Sequence, residues 1–257
     1  METILRLESI GVRFGGLIAL QNIDMEVKSG EILALIGPNG AGKTTLFNLL
    51  TGIYTPTSGR IYCDEVQIQG IPSHKRVGLG LARTFQNPRL IHDMTVLENA
   101  LIAHPDCNKE SLWDAVLSFK KTRAKRKAVH DECVKMLEMV GLGDQCAVLA
   151  KNLPYVDQRL LEIARALITK CRILLLDEPA AGMNLSEKKT LSDLMLRLCR
   201  EMDVNIVLIE HDVGLVINIA DRIVVLDHGE KIAEGTGEEI TSNPLVITAY
   251  LGEEDDF

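Results

Sequence analysis

The sequence predicts an α/β fold: a mainly parallel β-sheet with helices, an N-terminal antiparallel β subdomain and an inserted helical subdomain. Three observations predict it. First, three short continuous apolar runs occur: Ile32-Leu33-Ala34-Leu35-Ile36, Ile173-Leu174-Leu175-Leu176 and Ile206-Val207-Leu208-Ile209. Runs of that length suit strands buried on both faces of a parallel sheet. Second, Leu191, Leu194, Met195, Leu198 and Met202 repeat at helical spacing between the last two runs, which makes a strand–helix–strand unit. Third, a glycine-rich loop joins the first run to another helical stretch.

Along the chain, Leu5 and Leu7, then Ile23, Met25 and Val27, alternate as half-buried strands do, and Gly15-Gly16 and Ser29-Gly30 punctuate them as turns. The buried run at 32–36 lies between Gly30 and Gly37, and residues 45–50 continue as a helix. From about residue 88 to 165 the pattern is helical (Val134 and Leu137, with Met136 and Val140) and offers no convincing buried strand. Ile223-Val224-Val225-Leu226 reads as a further strand. Asp227-His228-Gly229-Glu230 then reads as a hairpin turn into Lys231-Ile232-Ala233. No repeat of fixed period occurs. The expected organisation is a single domain over residues 1–257. Residues 1–87 and 166–257 form the core with its β subdomain, and 88–165 form the helical subdomain.

Composition narrows the function. The chain has 257 residues, 46% apolar and only 4% aromatic, so it can bury a sizeable aliphatic core. Its formal net charge of -8 argues against a general nucleic-acid binder. The basic stretch Lys120-Lys121-Thr122-Arg123-Ala124-Lys125-Arg126-Lys127 reads as a solvated helix face, and Glu253-Glu254-Asp255-Asp256 as a frayed acidic tail. None of the six cysteines sits in a Cys-x-x-Cys pair, and they are too sparse for a disulfide scaffold, so reduced thiols in a cytosolic protein are expected. No signal-like N-terminal segment and no run of about 18 apolar residues occurs. A membrane process served by this chain would need another chain to supply the membrane part.

The chemistry begins at Gly37-Pro38-Asn39-Gly40-Ala41-Gly42-Lys43-Thr44-Thr45. This satisfies Gly-x-x-x-x-Gly-Lys-Ser/Thr, which average composition produces in a chain this long about once in a hundred. Its position between a buried strand and a helix makes chance less plausible still. Small residues let the backbone curl around a phosphate, and successive N–H groups and the helix N-terminus point at the anion. Lys43 adds positive charge at the β- and γ-phosphates, and the Thr44 hydroxyl can ligate Mg²⁺. The expected core is therefore a P-loop nucleotide-binding one, with ATP and Mg²⁺ as ligands.

Asp177-Glu178 ends the second buried run, where ligands bind in open α/β sheets. Asp177 can hold the Mg²⁺ shell. Glu178, one residue on, is a candidate general base or water-orienting group. His211, within Glu210-His211-Asp212, ends the third run; a lone histidine has many dull explanations, and spacing alone leaves its role open.

With these motifs in place, nearly the whole chain resembles the ABC ATPase family. The resemblance implies that Phe14 stacks on adenine and that residues 37–44 are the Walker A loop. It implies that Gln86, in Thr84-Phe85-Gln86-Asn87, senses Mg²⁺ and the membrane partner. Asp177 and Glu178 resemble the Walker B aspartate and catalytic glutamate, Ala181-Gly182-Met183-Asn184 the D-loop, and His211 the switch histidine that meets the γ-phosphate. Within the family, Ala82-Arg83-Thr84-Phe85-Gln86-Asn87-Pro88-Arg89-Leu90, Glu178-Pro179-Ala180-Ala181-Gly182-Met183-Asn184 and Ala249-Tyr250-Leu251-Gly252-Glu253 are similar to the branched-chain amino acid importers. That branch implies transmembrane permeases, a second ATPase subunit (this chain or a close paralogue) and, indirectly, a solute-binding protein. It implies a peripheral place on the cytoplasmic face of the membrane. Lipopolysaccharide-export and urea-import ATPases share much of the pattern and stand as alternatives, as does a hydrolysis-impaired nucleotide-binding module.

One stretch departs from the family. Where Leu-Ser-Gly-Gly-Gln is usual, this chain has Leu153-Pro154-Tyr155-Val156-Asp157-Gln158-Arg159. Tyr155 is common in the importer branch. Pro154 lacks the serine hydroxyl, and Val156 stands at a glycine position, where a disfavoured backbone conformation would cost about 1–3 kcal/mol. Two readings stay open: Leu153, Tyr155, Val156 and Gln158 still close on the ATP of the opposite subunit through Gln158 and backbone N–H groups, or Val156 weakens closure.

Overall fold

The computed structural model describes residues 2–107 and 119–251, so the acidic run 253–256 and the last two residues of the 249–253 motif lie outside the described residues. The chain forms two compact units, Met1–Arg83 with Arg172–Phe257, and Thr84–Cys171. These boundaries differ from 87/88 and 165/166. Residues 155–168 form one continuous helix, and no boundary can fall inside it.

In the first unit, β1 (Thr3–Phe14), β2 (Leu17–Lys28), β4 (Ser58–Cys63) and β5 (Val66–Gln67) make an antiparallel sheet of order β2-β1-β4-β5. Leu5, Leu7, Ile23, Met25 and Val27 are all buried on it, as alternation required. The second sheet has order β10-β9-β3-β8-β7-β6, with β3 Ile32–Ile36, β6 Leu81–Arg83, β7 Ile173–Asp177, β8 Asn205–Ile209, β9 Arg222–Asp227 and β10 Glu230–Gly235. All its pairings are parallel except β9 with β10. Every residue of β3, β7 and β8 is buried, because both faces of these strands are covered. Three-residue β6 is too short to leave a pattern in the sequence.

The β9–β10 turn has the geometry its residues suggest. His228 and Gly229 both adopt positive φ, 44° and 80°, as the two central residues of a type I′ hairpin do. Helix α1 (Lys43–Leu50) packs Leu46, Phe47, Leu49 and Leu50 into the core that both sheets share. Parallel register sets Asp177 beside Ile209 and Leu35 beside the same residue. The loops after β3, β7 and β8 therefore leave from one edge of the sheet. That edge carries the site.

The second unit is helical: α2 (Val96–Ala103), α3 (Phe119–Met139) and α4 (Tyr155–Ile168). Thr95 starts α2 with a capping box closed by Glu98. The buried side of the α3 segment is Cys133, Leu137 and Val140, with Val134 and Met136 half-buried. Residues 123–127 of the basic stretch are exposed. The cysteines are free thiols; burial pushes those of Cys63 and Cys133 up to about 11 and that of Cys171 up to about 12, so these three are poor nucleophiles. No helix among the described residues is long and apolar enough to cross a membrane.

Burial of β8 generates a stability prediction. Leu208 is fully buried between neighbours on both sides. Leu208→Ala is expected to cost about 2–5 kcal/mol. A lower urea midpoint with an unchanged slope checks it.

Candidate nucleotide site

The loop after β3 is built by backbone clamps. The Gly37 φ is 146°, and a Cβ there would lie on the Leu226 carbonyl oxygen, so only glycine lets the loop leave the sheet beside β9. Gly42, with φ 101°, ends the loop; a Cβ there would come within 2.9 Å of the Ala19 carbonyl. The hairpin turn holds the loop from outside: the Gly229 N–H donates to the Ala41 carbonyl (3.1 Å), and the Gln21 N–H to the Gly229 carbonyl (2.8 Å). Lys43 is 7% exposed, and its Nζ donates to the carbonyls of Gly37 (2.6 Å) and Pro38 (2.7 Å).

Pro38 and Ala41 are buried, Thr45 is half-buried, and Asn39, Gly40 and Thr44 are exposed. Gly42 gives α1 no side-chain cap, and its first turn has no acidic residue. Backbone N–H groups of that turn are thus available to an anion.

At the end of β7, Asp177 is 5% exposed and accepts from Arg83 Nη2 at 2.7 Å. Glu178 follows with φ 48°, an uncommon conformation for a non-glycine residue. Its N–H donates to the Ile209 carbonyl (2.9 Å), which ties the strained residue to the end of β8. Glu178 Oε1 and His211 Nε2 are 2.8 Å apart. A carboxylate held against an imidazole can orient a water and move its proton.

Beneath this pair, Glu210 is 4% exposed and accepts from the N–H groups of Ala180 (2.7 Å) and His211 (3.2 Å). Burial raises its pKa, the backbone donors oppose that shift, and the Glu178 charge adds to it. Neither Glu210 nor Arg83 was given a role from the sequence, although each lies inside a stretch that was singled out. Their side chains act across strands, which spacing does not reveal.

Phe14 is 44% exposed and meets the ring of Tyr54 edge-on, centroids 5.1 Å apart. Tyr54 is a second exposed aromatic at this place, and it carried no sequence signal of its own.

The remaining expected residues, Gln86, Leu153, Tyr155, Val156 and Gln158, belong to the second unit. There the loop 85–89 is fastened to α4. Glu162 Oε1 accepts from the N–H groups of Phe85 (3.2 Å) and Arg89 (3.3 Å). Arg159 donates to the Phe85 carbonyl (2.8 Å) and to Tyr155 Oη (2.7 Å), and Arg165 donates to the Arg89 carbonyl (2.5 Å). Gln86 itself is exposed.

Two expectations about the departing stretch change. Val156 lies in the first turn of α4 and has no positive φ, so the backbone strain that a glycine position could impose is absent. Gln158 turns its amide back onto the Leu153 carbonyl (3.0 Å). Counted from Leu153, the fifth residue of the usual pattern is Asp157, whose Oδ2 accepts from Gln145 at 2.9 Å.

Comparison with known proteins accords with this arrangement. The family model described as ABC transporter matches residues 20–181, and that of the branched-chain amino acid ATP-binding cassette transporter matches residues 230–256. The chain is 46% identical over 252 residues to the high-affinity branched-chain amino acid transport ATP-binding protein LivG of Salmonella typhimurium, covering 98% of this chain and 99% of that protein. It is 46% identical to BraF of Pseudomonas aeruginosa, which carries the same description, covering 97% and 98%. Among solved structures, it is similar to the ADP conformation of an ATP-binding cassette of an ABC transporter, with TM-score 0.85, 33% identity and coverage of 98% and 100%.

The buried Glu210 generates a pH prediction. A carboxyl whose folded pKa is raised above its ordinary 4.5 keeps its proton longer in the folded state. Its contribution to stability therefore falls as pH rises from about 4.5 through the raised value. Glu210→Gln is expected to gain stability relative to the unsubstituted protein over that window and to show a constant difference above it. Urea midpoints from pH 4 to 8 check this.

Proposed function

This chain belongs to the ABC transporter family of ATP-binding subunits, and on that premise we propose that it hydrolyses ATP to drive uptake of branched-chain amino acids through a membrane permease. The observation that carries the reading is the shared edge of the parallel sheet. It carries the Lys43 loop after β3, Asp177 and Glu178 at the end of β7, and His211 after β8. The names of the relatives support the solute class.

Each group has a task in this reading. Residues 37–45 wrap the phosphates with backbone N–H groups, and Lys43 exchanges the Gly37 and Pro38 carbonyls for β- and γ-phosphate oxygens. Phe14, with Tyr54 beside it, offers a face to adenine. Glu178 orients the attacking water, and His211 holds Glu178 in place and meets the γ-phosphate. The oxygen donors Thr44 and Asp177 suit a hard cation such as Mg²⁺. Bound there, Mg²⁺ would neutralise charge on the β- and γ-phosphate oxygens. The D-loop stretch 181–184 begins three residues after Glu178, and the Ala180 N–H between them is anchored on Glu210.

Closure takes place head to tail with a second ATPase subunit, either this chain or a close paralogue. Leu153, Tyr155, Val156 and the first turn of α4 then face the partner's ATP. Two features of this chain weaken that contact: Val156 adds bulk, and the Asp157 carboxylate has the same sign as the phosphates. Gln86 lies in a loop held on α4, so a permease docking there would act on the closing surface through the Glu162, Arg159 and Arg165 contacts. The chain works peripherally on the cytoplasmic face of the membrane, with a solute-binding protein feeding the permease and no nucleic acid involved.

ATP turnover at rising protein concentration tests the reading. Turnover is expected to rise faster than linearly, to vanish in Lys43→Ala, and to fall roughly a hundredfold or more in Glu178→Gln with ATP still bound, as for loss of a group that acts only in the transition state. Linear turnover that Lys43→Ala leaves intact would sink it. In the Glu178→Gln background, Val156→Gly with Asp157→Gln is expected to tighten ATP-driven self-association about tenfold, equivalent to about 1.4 kcal/mol. Sedimentation with MgATP reads this out, and no tightening would mean that the first turn of α4 does not meet ATP.

A further inference from the structure

One side chain of the first unit joins three elements of the site, and the reading above gives it no task. Arg83 ends β6, paired in parallel with β7 so that it lies beside Leu175, two residues before Asp177. From there its guanidinium forks. Nη2 donates to Asp177 Oδ2 at 2.7 Å, and Nη1 donates to Asn48 Oδ1 at 2.6 Å. Its central carbon stands 5.5 Å from the centroid of the Phe47 ring. The Arg83 and Asp177 side chains are 6% and 7% exposed, so this ion pair is almost entirely removed from water.

Asn48 lies four residues after Thr44 in α1. Residues four apart occupy the same face of a helix, one turn from each other. The arm on Asn48 therefore holds the face of α1 that carries the Thr44 hydroxyl, and the other arm holds the Asp177 carboxylate. We propose that Arg83 is a positioning residue that sets the spacing and orientation of the two oxygen ligands of the divalent cation, Thr44 and Asp177. This inference rests on the reading of those two residues as Mg²⁺ ligands.

The chemistry of the fork supports the assignment. A carboxylate has two oxygens with about four acceptor directions, so an arginine on Oδ2 leaves Oδ1 for the cation or its water shell. A planar guanidinium grips two acceptors in fixed geometry, whereas an ammonium is a single point charge on a flexible stem. Ligating carboxylates are commonly oriented by such outer partners, whose loss costs about ten- to a hundredfold in metal affinity. A residue that merely neutralised a buried charge would need one arm only. Here both arms are engaged, on the two elements that bear the ligands.

Calorimetric titration of ADP, once with Mg²⁺ and once with a chelator, tests the proposal without turnover. Arg83→Lys keeps the charge and loses the fork, Arg83→Met loses both, and Lys43→Ala serves as control. In the unsubstituted protein Mg²⁺ is expected to tighten ADP binding. In Arg83→Lys that gain is expected to shrink about tenfold, while affinity in chelator stays within about twofold. Arg83→Met leaves Asp177 uncompensated and is followed by thermal melting; should it fail to fold, Arg83→Lys carries the test. An unchanged or larger Mg²⁺ gain in Arg83→Lys overturns the proposal alone. ADP binding that is absent, or indifferent to Lys43→Ala, overturns the nucleotide reading and this inference with it.

Discussion

Strands buried on both faces cannot carry polar side chains along their length, because each would lose its water without gaining partners. In β3, β7 and β8 this constraint is nearly complete: the only polar side chains on them are Asn205, at the start of β8, and Asp177, at the last position of β7. Polar chemistry is therefore pushed to the strand ends. Parallel pairing puts the carboxyl ends on one edge, so residues separated by more than a hundred positions meet there. The phosphate loop, the acidic pair and the histidine share an edge for this reason.

At that edge the fold holds several charged groups out of water, each with dedicated partners. Lys43 is held by two loop carbonyls, Asp177 by Arg83, and Glu210 by two backbone N–H groups. Unpaired, any of them would cost several kcal/mol. Paired, they fix neighbouring backbone, and Glu178 can be held at positive φ because the Ile209 carbonyl and the anchored Ala180 restrain both of its sides. Strain at one residue is sustained by hydrogen bonds on its neighbours.

The second unit shows the same economy in its own terms. Loop 85–89 has no regular structure, yet the N–H and carbonyl groups of its two end residues, Phe85 and Arg89, are held by three charged side chains of one helix, α4. Burial raises the Glu162 pKa while the two N–H groups it accepts lower it. The loop is thereby joined to α4 through a few hydrogen bonds.

The sequence by itself determined the class of the fold and singled out Lys43, Asp177, Glu178 and His211, which follow or end the parallel strands. Continuous apolar runs announced the parallel strands, and Gly37, Gly42 and Lys43 at their spacing announced the phosphate loop. Both signals are local: a strand buried on two faces is apolar at every position, and a phosphate loop is nine consecutive residues. The turn at His228-Gly229 was legible for the same reason. Strand β6 was not, being three residues long. Only the tertiary structure decided that Val156 sits unstrained in a helix and that Gln158 folds back on Leu153. It alone joined Arg83 to Asp177 and Asn48, and Glu210 to Ala180. Those contacts run between side chains and elements 30 to 94 residues apart, brought together by strand order and register. A pattern of neighbouring residues carries no record of which strands will lie side by side.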